Sequence, residues 1–438
     1  MKLDTAKLPY LADTTQLLSQ LRRLNGLVAL ESDNSGHENG RWSIISAAPV
    51  KTFRSTESHC SHDLLNTLES FYSLLPKQSH DLPFIGGLLG HVSYDLGLPS
   101  LDKTLNLPSF EDQPTILVGL YTWAFVIDHK ERASHLIYWE DISAPKKSDL
   151  LDIFNNSLES WALDFEITAN FKPLWSKDAY RQKIQIIHDY IQSGDCYQIN
   201  LAQCFKASYR GDSLEAYSRL RKVAQVPFAS YFEDIDISFA SLSPEMFIAC
   251  DDNEVITKPI KGTQPRSPLV QVDNDNKALL RMSTKDQAEN LMIVDLLRND
   301  LSKNARQVKV PKLFNVESFS TVHHLVSTIT AQINPDTSIL KLFLDAFPGG
   351  SITGAPKKRA MEIISELEGF PRSFYCGSSF YYSCNGKFSS NILIRSFLFK
   401  QGDLYTWSGG GIIADSKWEL EYQESLDKIS RLMASLQS

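Results

Sequence analysis

Two short runs of the chain set pairs of carboxylates three residues apart. In Lys285-Asp-Gln-Ala-Glu-Asn-Leu-Met-Ile-Val-Asp-Leu296 the acids are Asp286 and Glu289, and near the C-terminus they are Glu421 and Glu424. On a helix, that spacing points both side chains the same way. Two such faces turned toward each other would give a Mg2+ ion the hard oxygen ligands it prefers, with positions left for water and an anionic substrate. Taken singly, each pair also reads as a solvated helix face whose acids suit the N-terminal turns.

The second candidate is Thr257-Lys-Pro-Ile-Lys-Gly-Thr-Gln-Pro-Arg266. It reads as the end of a strand followed by a turn. Pro259 favours an extended Lys258, and Gly262 and Pro265 then stop regular structure. Lys261 falls at the bend, before a glycine that lets another group approach the backbone closely. From composition it is equally a solvated lysine in a surface turn. Upstream, Ser241-Leu-Ser-Pro-Glu245 places a carboxylate just after a proline.

Phe347-Pro-Gly-Gly-Ser-Ile-Thr-Gly-Ala-Pro-Lys-Lys-Arg359 is a glycine-rich loop entering a helix, but Ala355-Pro356 after Gly354 breaks the phosphate-loop pattern. Its backbone N–H groups and the Thr353 hydroxyl remain suited to a carboxylate. Gly409, Gly410 and Gly411, after a strand, form bare backbone against which a ligand could lie, or a tight empty turn. His323-His324 lacks a partner at metal-ligand spacing and reads first as core. There is no nucleophile elbow, no dinucleotide fingerprint and no recognisable glutamine-hydrolysing cysteine site.

The elements that must position these residues are mixed in type. Helices are expected at Asp63 to Leu75, from a Ser176 cap to a stop at Gly194 with Tyr180, Ile184, Ile187 and Ile191 on one face, and at 285–298, 339–346, 356–367 and 419–436. Strands are expected at 27–31, 42–47, 115–127, 134–139, 196–205, 237–240, 246–249, 379–383, 392–399 and 404–407. They come in blocks rather than in regular βαβ alternation, which makes the class α+β. Residues 1–150 read as an N-terminal region, 151–175 as a connection and 176–438 as the catalytic region. The 438 residues carry a net charge of −8, which argues against nucleic-acid binding. No run is long enough to span a bilayer, no signal peptide opens the chain, and the cysteines lack CxxC spacing, so a reducing cytoplasm is expected.

Five segments carry a resemblance. They are Gly194-Asp-Cys-Tyr-Gln-Ile-Asn-Leu201, Ala288-Glu-Asn-Leu-Met-Ile-Val-Asp-Leu-Leu-Arg-Asn-Asp300, Val322-His-His-Leu-Val-Ser327, Pro348-Gly-Gly-Ser-Ile-Thr-Gly-Ala-Pro-Lys357 and Gly409-Gly-Gly-Ile-Ile-Ala-Asp415. In this order they resemble the chorismate-utilising enzymes, which include anthranilate, isochorismate, salicylate and aminodeoxychorismate synthases. The match covers most of residues 176 to 435. The implied fold is a layered α/β/β/α sandwich with two large antiparallel-rich sheets, like that of anthranilate synthase component I.

Lys261 discriminates within the family. Anthranilate synthases look like Pro-Ile-Ala-Gly-Thr there, and enteric aminodeoxychorismate synthases like Pro-Ile-Lys-Gly-Thr. The resemblance therefore implies Mg2+-dependent amination of chorismate to 4-amino-4-deoxychorismate, on the route to p-aminobenzoate and folate. Lys261 would be the nucleophile that forms a covalent adduct, Glu245 the general acid, and His324 would lie near the ring oxygen. Glu289 and Glu424 would hold the metal, with Asp286 and Glu421 supporting. Tyr381, Arg395 and the Gly409–Gly411 backbone would receive the enolpyruvyl carboxylate, and Lys428 could contact the ring carboxylate. Ammonia would come from a separate glutamine amidotransferase subunit. The N-terminal part resembles a tryptophan pocket, with Ser32, Asn39, Gly40, Arg41, Trp42, Pro227, Phe228 and Ala229 at the corresponding positions. Asn39, Gly40, Trp42 and Ala229 depart from the enteric pattern of Tyr, Ser, Phe and Ser.

Overall fold

The computed structural model describes residues 1–33, 38–57, 62–100, 110, 112–143, 145–157, 164–319 and 322–437. Alternating apolar and polar residues build two large, mostly antiparallel sheets, one 12-stranded and one 10-stranded among the described residues. In the first sheet the N-terminal strand Val28–Glu31 lies between Trp42–Ser46 and Phe228–Asp234. Gly87–Val92 pairs with Ser378–Ser383 in the second. Both ends of the chain thus contribute to both sheets.

One core joins the sheets: Val126, Ala202, Phe232, Phe239 and Trp407 of the first pack in the same cluster as Leu88, Val118, Ile248, Ile329 and Phe380 of the second. Helices cover the outer faces. Leu17, Leu18, Leu214 and Leu220 pack with Phe205 and Ala207 on the far side of the first sheet, and Ile293, Leu297 and Leu340 pack on the second. The strand Gln198–Gly211 shows the division residue by residue. Ile199 and Leu201 face the helices Lys177–Gln192 and Lys357–Glu368, whereas Ala202 and Cys204 face inward. Ser176 caps its helix as expected, accepting from the Ala179 N–H at 3.1 Å. No described helix is long and apolar enough to cross a membrane.

Three expected elements are broken, each for a tertiary reason. The run 115–127 is two strands, Ile116–Tyr121 and Trp123–Asp128, because the chain leaves one sheet for the other at the buried Thr122. The run 392–399 starts as a strand only at Ser396, after Arg395 has turned with φ +53°. The last helix ends at Asp427 and restarts at Ser430. Helices at Ser213–Ala224 and Val270–Met282 and the long hairpin Ala305–Ser318/Val322–Ile333 were not anticipated as elements. Part of the 151–175 connection, residues 158–163, lies outside the described residues. The rest includes the strand Phe165–Pro173, paired with Gln198–Gly211.

Candidate active site

A cavity of roughly 570 Å³ opens where the two sheets and two helices meet. Lys261 enters it from the strand Ile260–Pro265, not from a turn. Gly262, at φ +67°, takes up the extra residue where pairing with Val322–Ile333 slips between Lys261 and Thr263. What crowds Gly262 is protein: a Cβ there would stand 2.7 Å from both Asp286 Cγ and Leu280 Cδ1. The Lys261 side chain is 14% exposed, and its Nζ lies 3.9 Å from Glu289 Oε2.

Glu245 faces the same cavity from just before the strand Met246–Asp251. Burial pushes its carboxyl up to about 7, against the lowering effects of the Ser351 side chain, the Lys261 ammonium and the Ile260 N–H. The Ile260 contact ties the acid to the residue beside the lysine. At neutral pH this carboxyl is poised to hold or release a proton.

The acidic pairs do face each other. Asp286 and Glu289 come from Thr284–Ser302, Glu421 and Glu424 from Trp418–Asp427, and all four line the cavity. Glu289 is raised by burial. Burial also acts on Glu424, but the Lys428 ammonium, 2.7 Å away, brings it below its ordinary value. Ammonium groups stand among these carboxylates, and among the described residues no three His, Cys, Asp or Glu groups converge on one point. The donor chemistry nevertheless suits a hard divalent ion, since carboxylates of two helices meet beside bare glycine backbone. A Cβ on Gly410 would lie 3.5 Å from Glu421 Oε2 and 3.7 Å from Glu424 Oε1.

The three glycines belong to the strand Asp403–Ile412, and each lines the cavity. Gly409 leaves no space for a side chain, a Cβ falling 2.1 Å from the Leu201 backbone oxygen, and at Gly411 a Cβ would displace the Gln198 side chain, whose Nε2 is 2.3 Å away. Lys428 Nζ donates to Gly409 O at 2.9 Å. Arg395 also lines the cavity. The residue is part-buried, desolvation alone pushes its pKa down, and no acidic side chain among the described residues pairs with it. A desolvated, unpaired guanidinium is costly unless an anion completes it.

The histidine pair splits, as adjacent residues of a strand must. His324 lines the cavity, with Nδ1 2.9 Å from the Thr263 hydroxyl. His323 is core, held by Ser318 and Asp273 at 2.9 Å each.

Two expected positions fall elsewhere. The Thr353 hydroxyl is buried and donates to Gly349 O and Gly350 O, so the loop consumes it. Tyr381 lies in the wall of a different cavity, because its strand runs along the second sheet away from the carboxylates. The tyrosine of the first cavity is Tyr375, stacked on Trp407 at 6.0 Å. Asn200, Ser351 and Lys285 also line the cavity and were missed. Asn200 lay in a motif noted for its pattern alone, and Tyr375 lies in an irregular turn, with Cys376 at φ +65°, that no sequence signal marks.

The second cavity, roughly 490 Å³, is lined by Ser32, Asn39, Trp42, Pro227, Phe228 and Ala229 together with Tyr381. Gly40 and Arg41 are not in its wall. Arg41 turns instead to Asp128, at 2.7 Å, and stacks over Trp42.

A family model described as chorismate binding enzyme matches residues 28–434, and the chain belongs to that family of enzymes. Within it, the likeness runs to one branch. The chain is 40% identical over 439 residues to aminodeoxychorismate synthase component 1 of Escherichia coli (strain K12), covering 96% of this chain and 95% of that one. It is 39% identical to the protein of the same name from Salmonella typhimurium, covering 98% of each. Among solved structures, anthranilate synthase component I from Streptococcus pneumoniae superposes with a TM-score of 0.79 at 28% identity, over 90% of this chain and 92% of that one. The expected fold, two antiparallel sheets between helical layers, is the fold observed.

Proposed function

We propose that this chain aminates chorismate to 4-amino-4-deoxychorismate in the cytoplasm, for p-aminobenzoate and folate synthesis, with ammonia supplied by a separate glutamine amidotransferase subunit. The observation that carries the reading is that Lys261 and a buried Glu245, pushed up to about 7, line one cavity that also contains an unpaired arginine. The names of the relatives agree with it, and "component 1" in those names speaks of a second component.

The residues divide the work by chemistry. Arg395, Tyr375 and the Gly409–Gly411 backbone receive the enolpyruvyl carboxylate. Glu289 and Glu424, with Asp286 and Glu421 behind them, would hold Mg2+, which when bound neutralises the ring carboxylate of the substrate. Once its ammonium proton has passed to solvent, the Lys261 nitrogen adds at ring carbon 2, both ring double bonds shift, and the 4-hydroxyl leaves as water with the proton of Glu245. Ammonia then bonds to ring carbon 4, the double bonds return, and the Lys261 nitrogen leaves carbon 2. One difficult substitution becomes two easier ones. His324 and Lys428 flank the ring.

The deciding assay couples purified chain, chorismate, Mg2+ and ammonia to an aminodeoxychorismate lyase. The expected product is p-aminobenzoate, and its formation should require the metal. Fluorescent anthranilate in its place overturns the reading.

The second cavity is proposed to hold L-tryptophan, since a lining that mixes apolar residues such as Trp42, Ile44 and Phe228 with polar ones such as Ser32 and Asn39 suits an amphipathic aromatic ligand. Native mass spectrometry should find the amino acid on the purified protein or taken up from solution. Neither occurring would discard that assignment.

A further inference from the structure

The two helices that carry the acidic pairs are bridged by one lysine. Lys285 Nζ lies 3.9 Å from Glu289 Oε1 on its own helix and 3.8 Å from Glu421 Oε1 on the facing one. Neither distance is that of a hydrogen bond, so the ammonium is suspended between two carboxylates rather than fixed to either. The Glu421 carboxylate is buried and that of Glu289 is 13% exposed, while the lysine side chain is 52% exposed and open to solvent.

The other two ammonium groups of the cavity are differently placed. Lys428 is tied to Glu424 and to Gly409 O, and Lys261 sits deep, at the site of the proposed bond formation. Lys285 has no hydrogen bond of its own among the described residues, and its charge lies between carboxylates of both helices. An ammonium and a divalent cation drawn to the same carboxylate oxygens disfavour each other, since like charges a few ångströms apart repel.

We propose that Lys285 is an internal counter-cation. It holds the 284–302 and 418–427 helices together when no divalent ion is present, swings outward as the ion enters, and thereby weakens the affinity of the site for it. Lys285 acts through the carboxylates, as a positioning residue. The inference rests on the reading of these acids as the Mg2+ ligands.

The test is calorimetric titration of the full chain with MgCl2, without chorismate. Lys285→Met should bind Mg2+ about fivefold more tightly than the wild type, which corresponds to removing one partly exposed ion-pair competitor. Lys285→Arg, which keeps the charge, should stay near the wild-type affinity. Lys417→Gln, which removes an exposed lysine just before the second helix, should also leave it unchanged. In thermal melts, metal-free Lys285→Met should unfold at a lower temperature than metal-free wild type, and saturating Mg2+ should abolish the difference. A purely structural lysine would lower both melts and leave the affinity alone. Equal or weaker Mg2+ binding by Lys285→Met, or equal tightening by Lys417→Gln, overturns the inference while leaving the metal site standing. If the wild type takes up no Mg2+ at all, the metal reading falls and this one with it.

Discussion

Lys261→Ala is expected to lower formation of 4-amino-4-deoxychorismate by about a thousandfold, the scale on which loss of a covalent nucleophile acts. The geometry gives the residue no evident structural duty. Its side chain makes no hydrogen bond among the described residues, and its ion-pair partner is Glu289, at 3.9 Å. Its backbone stays paired with Leu325 whatever the side chain, so the strand and the bulge at Gly262 should survive the change. Chorismate should therefore still bind, because Arg395, the glycine strand and the carboxylate helices are untouched. The measurement has two parts. Turnover is read in the coupled assay, and the adduct is read as a mass increase on wild-type protein incubated with chorismate and Mg2+ but no ammonia, mapped to the peptide that holds Lys261. A variant that turns over normally, or a wild-type adduct on another residue, would return Lys261 to the role of counter-ion for Glu289.

How much of this could be read before the structure depends on the range of the interaction concerned. The carboxylate pairs were legible because a helix places residues three apart on one face without help from the rest of the fold. That the two pairs face each other is a tertiary fact, and only their similarity suggested it. The glycine strand was legible as bare backbone, but the reason for Gly409 lies across the sheet, where Leu201 O excludes a Cβ. Lys261 was placed in a turn because Gly262 and Pro265 are turn residues by composition. Pairing with Val322–Ile333 overrides that preference and converts the glycine into a bulge.

Tyr381 shows the opposite failure. An alternating aromatic strand is easy to find, but alternation does not say which of two cavities a face will line. The tyrosine that does reach Trp407 and the glycine strand is Tyr375, outside any regular element. Arg395 was placed in the site by resemblance, yet nothing in Ile392-Leu-Ile-Arg395 predicts the left-handed backbone that sets it there. Backbone strain of that kind costs about 1–3 kcal/mol and survives only where the surrounding packing enforces it. Arg395 is one of several non-glycine residues held at positive φ, and the one of them that lines the cavity.

Glu245→Gln should cost about 10²–10⁴-fold in turnover, the usual contribution of a positioned general acid. Glutamine keeps the shape and can still meet Ser351 and the Ile260 N–H, but it has no proton to give the departing hydroxyl. The pH dependence separates this loss from a packing defect. Glu245 donates only when protonated, so wild-type turnover, measured at a constant concentration of neutral ammonia, should fall as pH rises through about 7. The variant should lack that limb. Stability gives an independent reading of the same group. Its carboxyl is raised from 4.5 to about 7 on folding, so the folded state holds a proton that the unfolded chain has released. The contribution is therefore fully present below 4.5, declines as pH rises toward about 7, and is constant above it. The whole excursion is about 3 kcal/mol at 1.36 kcal/mol per unit. Glu245→Gln removes this term, and its melting temperature should be less sensitive to pH between 5 and 7 than that of the wild type. A variant that keeps both the wild-type rate and the wild-type pH limb would show that the proton comes from elsewhere, with His324 the next titratable group on the cavity wall.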